Sequence, residues 1–325
     1  MTTQSMIEAI RATLEDEMAR DERVMVLGED VGTQGGVFRA TEGLKQRFGA
    51  DRVVDTPVAE AGIIGASIGL ATAGMVPVAE LQFLGFAHQA FHQIGFQLGR
   101  FRYRTLGAFP LQVTIRAPYG GAVHAPELHS DAFEAMLANA PGLKIVAPST
   151  AADARGLLTA AIRDPDPVIY LEPLRGYRLV RDDVPDGDHL TPIGAVRIAR
   201  PGTDVTVLAW SFQVVNALEA AELAAEEGID VEVVDIRSLV PLDEAGIAAS
   251  VTRTGRCVVV EEAPRTAGFG AELVATVQEL CFLDLEAPIV RLSGWDTPYP
   301  MPLLERDYVP DTARILDAVR RTAAY

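Results

Sequence analysis

Glu60 closes the run Asp55-Thr56-Pro57-Val58-Ala59-Glu60 and opens a stretch, Ala61 to Gly74, that carries no charge. Two readings fit a carboxylate at the head of so apolar a helix. It is a first-turn acid favoured by the helix dipole, or an acid buried where Gly62, Gly65 and Gly69 let another backbone approach. Burial without a cation raises a carboxyl pKa, and such an acid can hand a proton to a bound base near neutral pH. The second candidate group is the glycine-bearing loop Pro118 to Asp131, which holds His124 and His129. It follows an expected strand end, where α/β folds gather their ligands. Its two imidazoles suit proton transfer or anion contact, with solvated loop histidines as the alternative. His88 and His92 have a helical spacing that can chelate a metal, but no carboxylate or third histidine stands near in sequence, and packing or a buried hydrogen bond is the simpler role.

These residues need elements to position them, and short β-rich runs alternate with helical ones in the manner of parallel α/β layers. Strands are expected at 24–27, 76–79, 111–115, 144–146 and 168–171, with helices near 5–20, 60–74, 86–103, 131–138 and 150–163. The polar, proline-bearing stretch Arg178 to Thr191 reads as a linker. After it come strands at 205–208, 231–234, 257–260 and 289–292, with helices at 213–227, 243–252, 269–281 and 312–321. The expectation is an α/β protein with one domain at 1–180, a linker at 181–190 and a second domain at 191–325.

Composition narrows the function. The chain has 325 residues, 49% of them hydrophobic, which suits about two soluble domains. A formal charge of −17 disfavours nucleic acid and anionic membrane as partners and favours a basic protein. Cys257 and Cys281 lack CxxC spacing, so neither a disulfide framework nor a zinc site is indicated. Met1 to Arg20 reads as an acidic amphipathic helix and not as a transit peptide or signal, and no apolar run is long enough to span a bilayer; the expected location is the cytoplasm. There is no P-loop, HExxH or GxSxG, and the lone Gly268-Phe269-Gly270 lacks the third glycine of a dinucleotide fingerprint.

Several segments together carry a family resemblance. Leu27-Gly28-Glu29-Asp30-Val31-Gly32, Asp55-Thr56-Pro57 through Glu60, Glu80-Leu81-Gln82-Phe83, Arg102-Tyr103-Arg104, the His124 to Ser130 loop, Pro141-Gly142-Leu143-Lys144 and Ala161-Ile162-Arg163-Asp164 occur in order. So do Val233-Val234-Asp235-Ile236-Arg237, Val260-Glu261-Glu262-Ala263 and Asp296-Thr297-Pro298-Tyr299-Pro300. Across nearly the whole chain the pattern resembles the beta subunits of thiamine-diphosphate-dependent 2-oxo acid dehydrogenases. The histidine loop is more similar to the bacterial pyruvate form than to the branched-chain form.

The resemblance implies a pyrimidine-binding, transketolase-like first domain and a second domain like the transketolase C-terminal domain. It implies oxidative decarboxylation of pyruvate with thiamine diphosphate, and reductive acylation of a lipoyl arm on a core acyltransferase; branched-chain 2-oxo acids are the alternative substrates, and a non-catalytic assembly subunit is the third reading. This chain has no Gly-Asp-Gly diphosphate motif and only two asparagines, Asn139 and Asn216. The resemblance implies that an alpha subunit holds the diphosphate and magnesium, in a heterotetramer of two alpha and two beta chains.

Particular residues take roles by the same resemblance. Glu60 would protonate the pyrimidine N1′, and His129 would move protons or stabilise intermediates, with His124 behind it. Gln82 and Phe86 would line the pyrimidine side. Glu29 would be an acid between paired active sites, a route that His92 puts in doubt because relatives commonly carry aspartate there. A potassium site would draw on Val113, Ala161, Ile162, Asp164 and Asp166. Trp295 and Tyr299 are candidate interface anchors, with a core role as the alternative for Trp295.

Overall fold

Runs of Val, Ile and Leu set the strands, and most of the central ones are buried along their whole length, as parallel sheets covered on both faces require. The computed structural model describes residues 1–325. The chain forms two compact units, Met1–Tyr119 with Met136–Ile193, and Gly120–Ala135 with Gly194–Tyr325.

In the first unit the strands are β1 (Thr2–Ser5), β2 (Val24–Gly28), β3 (Val53–Asp55), β4 (Val76–Glu80), β5 (Thr114–Tyr119), β6 (Lys144–Val146), β7 (Val168–Pro173) and β8 (Arg181–Val184). Six of them lie in the order β6-β7-β5-β4-β2-β3 with parallel pairing. Helices Met6–Arg20 and Ala151–Arg163 pack together over a core that includes Ile10, Leu14, Val26, Val78, Leu158 and Tyr170. The first of these helices starts where Glu8 accepts bonds from both the Ser5 amide and the Ser5 hydroxyl, each at 2.7 Å.

In the second unit the strands are β9 (Arg197–Arg200), β10 (Val205–Ala209), β11 (Val231–Asp235), β12 (Ser238–Val240), β13 (Cys257–Pro264) and β14 (Val290–Gly294). Five run β14-β13-β10-β11-β9, parallel except for the antiparallel edge strand β9. Helices Gln213–Glu226 and Thr312–Ala323 cover one face through an alanine-rich seam, Ala217, Ala220, Ala221 and Ala224 against Ile315 and Val319.

The α/β class and nearly every expected core element are present, with three departures. Arg181–Val184, placed by the sequence in the linker, is β8 and pairs antiparallel with β1. Residues 120–135, expected in the first domain, cluster with the second unit. The helix expected over 86–103 is broken into a 3-10 turn at Leu84–Phe86, a helix at Ala87–Phe91, a π-helix at His92–Leu98 and a turn of helix at Phe101–Arg104.

The π-helix ends where two backbones come close. A Cβ on Gly99 would lie 2.9 Å from the Pro141 carbonyl, and one on Gly142, which has φ +94°, would lie 1.9 Å from the Gly99 carbonyl. Only two glycines let these segments touch. Gly142→Ala must therefore adopt a left-handed conformation, at about 1–2 kcal/mol, and also push two backbones apart. A loss of more than about 2 kcal/mol is expected, read as a lower urea midpoint; an unchanged midpoint would contradict the contact.

Candidate active site

In the first unit the carboxyl ends of adjacent parallel strands bring acids together. Gly28, Asp55 and Glu80 end β2, β3 and β4, Glu29 follows β2, and Glu60 opens helix Glu60–Thr72. Asp55 is spoken for. It accepts the Gly32 amide at 2.6 Å, the Thr33 amide and hydroxyl at 3.1 and 2.9 Å, and Lys45 Nζ at 2.8 Å. Burial alone would raise its pKa, but these donors outweigh burial and hold it well below the usual carboxylate range. Glu29 is the opposite case: burial first, and then the charges of Glu60, Asp30 and Glu80, push it up. Its Oε1 is buried and accepts no hydrogen bond. Glu60 is only 4% exposed, and no side chain of its own chain bonds its carboxylate.

The helix that Glu60 opens buries Glu60, Ile63, Ile64 and Ser67 and leaves Ala61, Gly62, Ala66 and Gly69 exposed. A Cβ on Gly69 would meet nothing within 4 Å, and Cβ atoms on Gly62 and Gly65 would make only ordinary contact at 3.6 and 4.0 Å. Packing within this chain does not demand these glycines.

Beneath the acids lies an ion network that the sequence reading missed. Arg116 is fully buried; its Nε and Nη2 donate to Glu172 Oε1 and Oε2 at 2.6 and 2.9 Å, and its Nη1 donates to Glu80 Oε2 at 2.7 Å. The Tyr177 hydroxyl also donates to Glu172 Oε2. Desolvation raises the pKa of Glu80 despite its cation, because Arg116 is shared with a second carboxylate. One signal for this network was readable: charged residues interrupt three apolar strand runs, at Glu80, Arg116 and Glu172. The strand expected to stop at residue 115 in fact continues to Tyr119, since Arg116 finds its partners on the neighbouring strands β4 and β7.

Gln82 and Phe86 follow β4, both partly exposed. The Phe86 ring meets Phe83 edge-on at 5.6 Å, Phe83 meets Phe38 at 5.5 Å, and Phe38 meets Tyr177 at 5.5 Å. An aromatic row thus joins the surface ring to the ion network. His92 opens the π-helix with its ring 5.9 Å from that of Phe96.

His124 and His129 lie in the second unit. The loop amides there are held by Glu262, Tyr299 and Glu305. Tyr299, a candidate interface anchor by sequence, is instead 6% exposed and serves this loop, while Trp295 is largely exposed with its indole donating to the Asp307 carbonyl at 2.8 Å. His129 sits in the 3-10 turn Glu127–His129 and is half-buried. Further along, Glu134 accepts the Trp210 indole at 3.1 Å and is buried. Desolvation pushes its carboxyl up to about 7; Glu261, also buried and bonded to the Gly270 amide at 2.9 Å, is pushed up to about 7 by desolvation and, less, by Glu134.

The residues expected at a potassium site have other partners. Lys144 Nζ lies 2.7 Å from both Asp164 oxygens and 3.6 Å from Asp166, whose carboxylate also takes Arg102 at 2.5 Å. The Val113 carbonyl accepts the Val168 amide at 3.0 Å, and the Ala161 carbonyl accepts the Asp164 amide at 3.3 Å. No group of three or more His, Cys, Asp or Glu side chains is arranged to hold a metal ion.

Residues 2–178 match the family model of the transketolase pyrimidine binding domain, and residues 194–315 match that of the transketolase C-terminal domain. Among solved structures, a split gene transketolase described as an inactive beta4 tetramer superposes with a TM-score of 0.77 at 26% identity, covering 98% of each chain. Fold and site together define a transketolase-like chain of the thiamine diphosphate class. The pyruvate dehydrogenase E1 component subunit beta of Leifsonia xyli subsp. xyli is 50% identical over 320 residues, covering 98% of this chain and 95% of that protein. Its counterparts in Staphylococcus epidermidis and Bacillus subtilis are 46% and 45% identical over 325 residues, the full length of both chains in each case. The chain belongs to the family of pyruvate dehydrogenase E1 component beta subunits.

The buried Glu134 makes stability fall with rising pH. Its folded pKa of about 7 exceeds the ordinary 4.5, so the folded state keeps a proton that the unfolded chain releases. The resulting stabilisation is complete below about pH 4.5 and is lost as pH rises through about 7; its size is about 3 kcal/mol by linkage, on the order of magnitude. Glu134→Gln keeps the acceptor for Trp210 and removes the titration. Urea midpoints measured from pH 5 to 8 are expected to decline less steeply in this variant, with a higher midpoint at pH 8. Parallel profiles for the two proteins would refute the assignment.

Proposed function

We propose that this chain is the beta half of a pyruvate dehydrogenase, carrying out oxidative decarboxylation of pyruvate and reductive acylation of a lipoyl group together with an alpha subunit. The observation that carries the reading is Glu60, a buried carboxylate with no partner in its own chain. It opens an uncharged helix within the segment that matches a pyrimidine binding domain. The residues present fit the aminopyrimidine of thiamine diphosphate: an acid for a ring nitrogen, the Phe86 face for packing, the Gln82 amide for a polar edge and the acceptor Oε1 of Glu29 nearby. When bound, that cofactor supplies the nucleophilic carbon that attacks the 2-oxo group and accepts the electrons released by loss of carbon dioxide.

The chain's own residues supply placement and protons. Glu60, 4% exposed, is the acid that bonds pyrimidine N1′. Glu29 is kept protonatable by burial first and then by the charges of Glu60, Asp30 and Glu80, which suits a proton reserve beside the ring. His129 exchanges a proton with the reacting substrate, and His124 is second to it. His92 takes the place of an acid on the route between paired sites, so an imidazole would relay protons there.

Completion by other chains is part of the reading. The chain has no diphosphate motif, so the alpha subunit holds diphosphate and magnesium, and the exposed Gly62, Ala66 and Gly69 face receives a second chain in a heterotetramer of two alpha and two beta subunits. The split gene transketolase, described as an inactive tetramer of one chain type, is in keeping with a half-site. A charge of −17 suits a basic segment of the core acyltransferase. No helix is long and apolar enough to cross a membrane, which fits a cytoplasmic complex. Potassium at Val113, Ala161, Ile162, Asp164 and Asp166 is proposed on the family resemblance alone; Lys144 already neutralises Asp164, so a small effect of the ion is expected.

Purification with and without the co-encoded alpha chain tests the whole reading, using an artificial electron acceptor and either pyruvate or branched-chain 2-oxo acids. Activity is expected only from the joint assembly and with preference for pyruvate. Glu60→Ala should lower turnover about 10²- to 10⁴-fold, the range of general acid catalysis. Activity of this chain alone would sink the half-site, and a fully active Glu60→Ala assembly would sink the assigned acid.

A further inference from the structure

The loop that carries both histidines is gripped by side chains from far along the sequence. Gly121 N donates to Glu262 Oε2 at 3.0 Å, Ala122 N to the Tyr299 hydroxyl at 2.8 Å and Val123 N to Glu305 Oε1 at 2.8 Å. His124 N donates to Glu305 Oε2 at 3.1 Å, and His124 Nδ1 lies 3.1 Å from that same oxygen. The Tyr299 hydroxyl in turn donates to Glu305 Oε1 at 2.8 Å. Four successive amides therefore end on three side chains, and two of those three are bonded to each other.

The grip is demanding in both charge and shape. Glu305 is 2% exposed, and every group bonded to it can donate, so only a charged, acceptor-only carboxylate satisfies the set. A glutamine would turn an amino group toward amide hydrogens. Ala122 and His124 have φ of +61° and +58°, a left-handed conformation that costs a non-glycine residue about 1–2 kcal/mol and persists only where surroundings enforce it. A Cβ on Gly121 would fall 1.9 Å from the Tyr299 hydroxyl, so backbone and phenol meet without space to slide. Beyond His124 the chain is short and stiff: His129 N donates to the Pro126 carbonyl at 2.9 Å, and Ser130 N donates to the Glu127 carbonyl at 3.0 Å. Glu134 fixes the far end through Trp210.

We propose that Glu305, working with Tyr299, is a positioning residue that fixes the His124 to His129 loop and thereby places the His129 imidazole for its proton transfers. The inference rests on the reading of His129 as an active-site group. It predicts that removing the grip damages turnover through His129 and not through substrate or cofactor binding.

The test uses the complete alpha and beta assembly with Glu305→Gln, Tyr299→Phe, His129→Ala and the double variant of Glu305→Gln with His129→Ala. Glu305→Gln is expected to lower kcat about 10- to 100-fold, the scale of a small misplacement of a catalytic group, with KM for pyruvate changed less than about twofold. Amide exchange of residues 121–130 should quicken in Glu305→Gln while the sheets keep their protection. The double variant should be no slower than His129→Ala alone, because the grip has nothing left to position. Tyr299→Phe removes one link and keeps the carboxylate; a kcat loss of about 3- to 10-fold with the same KM is expected, and it serves if Glu305→Gln fails to assemble. Multiplying losses in the double variant beside a crippled His129→Ala, or unchanged loop exchange in Glu305→Gln, would overturn the inference alone. A fully active His129→Ala would overturn it together with the reading of His129.

Discussion

Two buried carboxylates share one cation at the centre of the first unit, and the rest of the site is arranged around that shortage. Arg116 binds Glu172 through two parallel bonds and reaches Glu80 with its remaining nitrogen. Removing one partner of such a buried set leaves an uncompensated charge, commonly a cost of about 3–5 kcal/mol. The strands β5, β4 and β7 are thus locked in register by side chains as well as by their ladders. The charge of Glu80 also reaches Glu29, where it adds to burial and to the charges of Glu60 and Asp30 in pushing the carboxyl up. The network that stabilises the sheet therefore also biases the chemistry at the strand ends.

Asp55 shows how narrowly this bias is directed. It stands five residues before Glu60 in the sequence, yet Lys45 and two amides hold it ionised, because its task is to fix the Gly32 and Thr33 loop. Neighbouring acids are thus separated by the donors each receives: Asp55 is an anchor held by four of them, and Glu60 is buried without a side-chain partner. The exposed, uncharged helix face after Glu60 extends the same division. Its buried side packs Ile63 and Ile64 into the unit, and its glycines leave the other side flat for a neighbouring backbone.

Much of this was legible from the residues. The strands at 205–209 and 231–235 and the helix at 269–281 follow from apolar runs of the right length between turn signals, and Glu60 stood out because charge is missing around it. What was not legible depends on pairing across long separations. Arg116, Glu80 and Glu172 look like three unrelated interruptions until parallel strands set them side by side. The edge strands β1 and β8 are polar and gain identity only from each other. The helix expected over 86–103 is segmented, and the close approach of Gly142 to Gly99 at the end of its π-helical part is not something propensity can register. Tyr299 was noticed for its aromatic ring, whereas its hydroxyl is what the structure uses.

The histidine loop illustrates a general constraint on mobile-looking sequences that must be rigid. A glycine-bearing loop without regular structure leaves its amides unpaired, and each buried amide needs an acceptor. Water could serve, but water would leave the loop free to move. Side-chain carboxylates and a phenol take that place here, so satisfying the backbone and fixing the loop become the same event. The acceptors come from residues 262, 299 and 305, which ties the shape of the loop to segments 141 to 182 residues further along the chain.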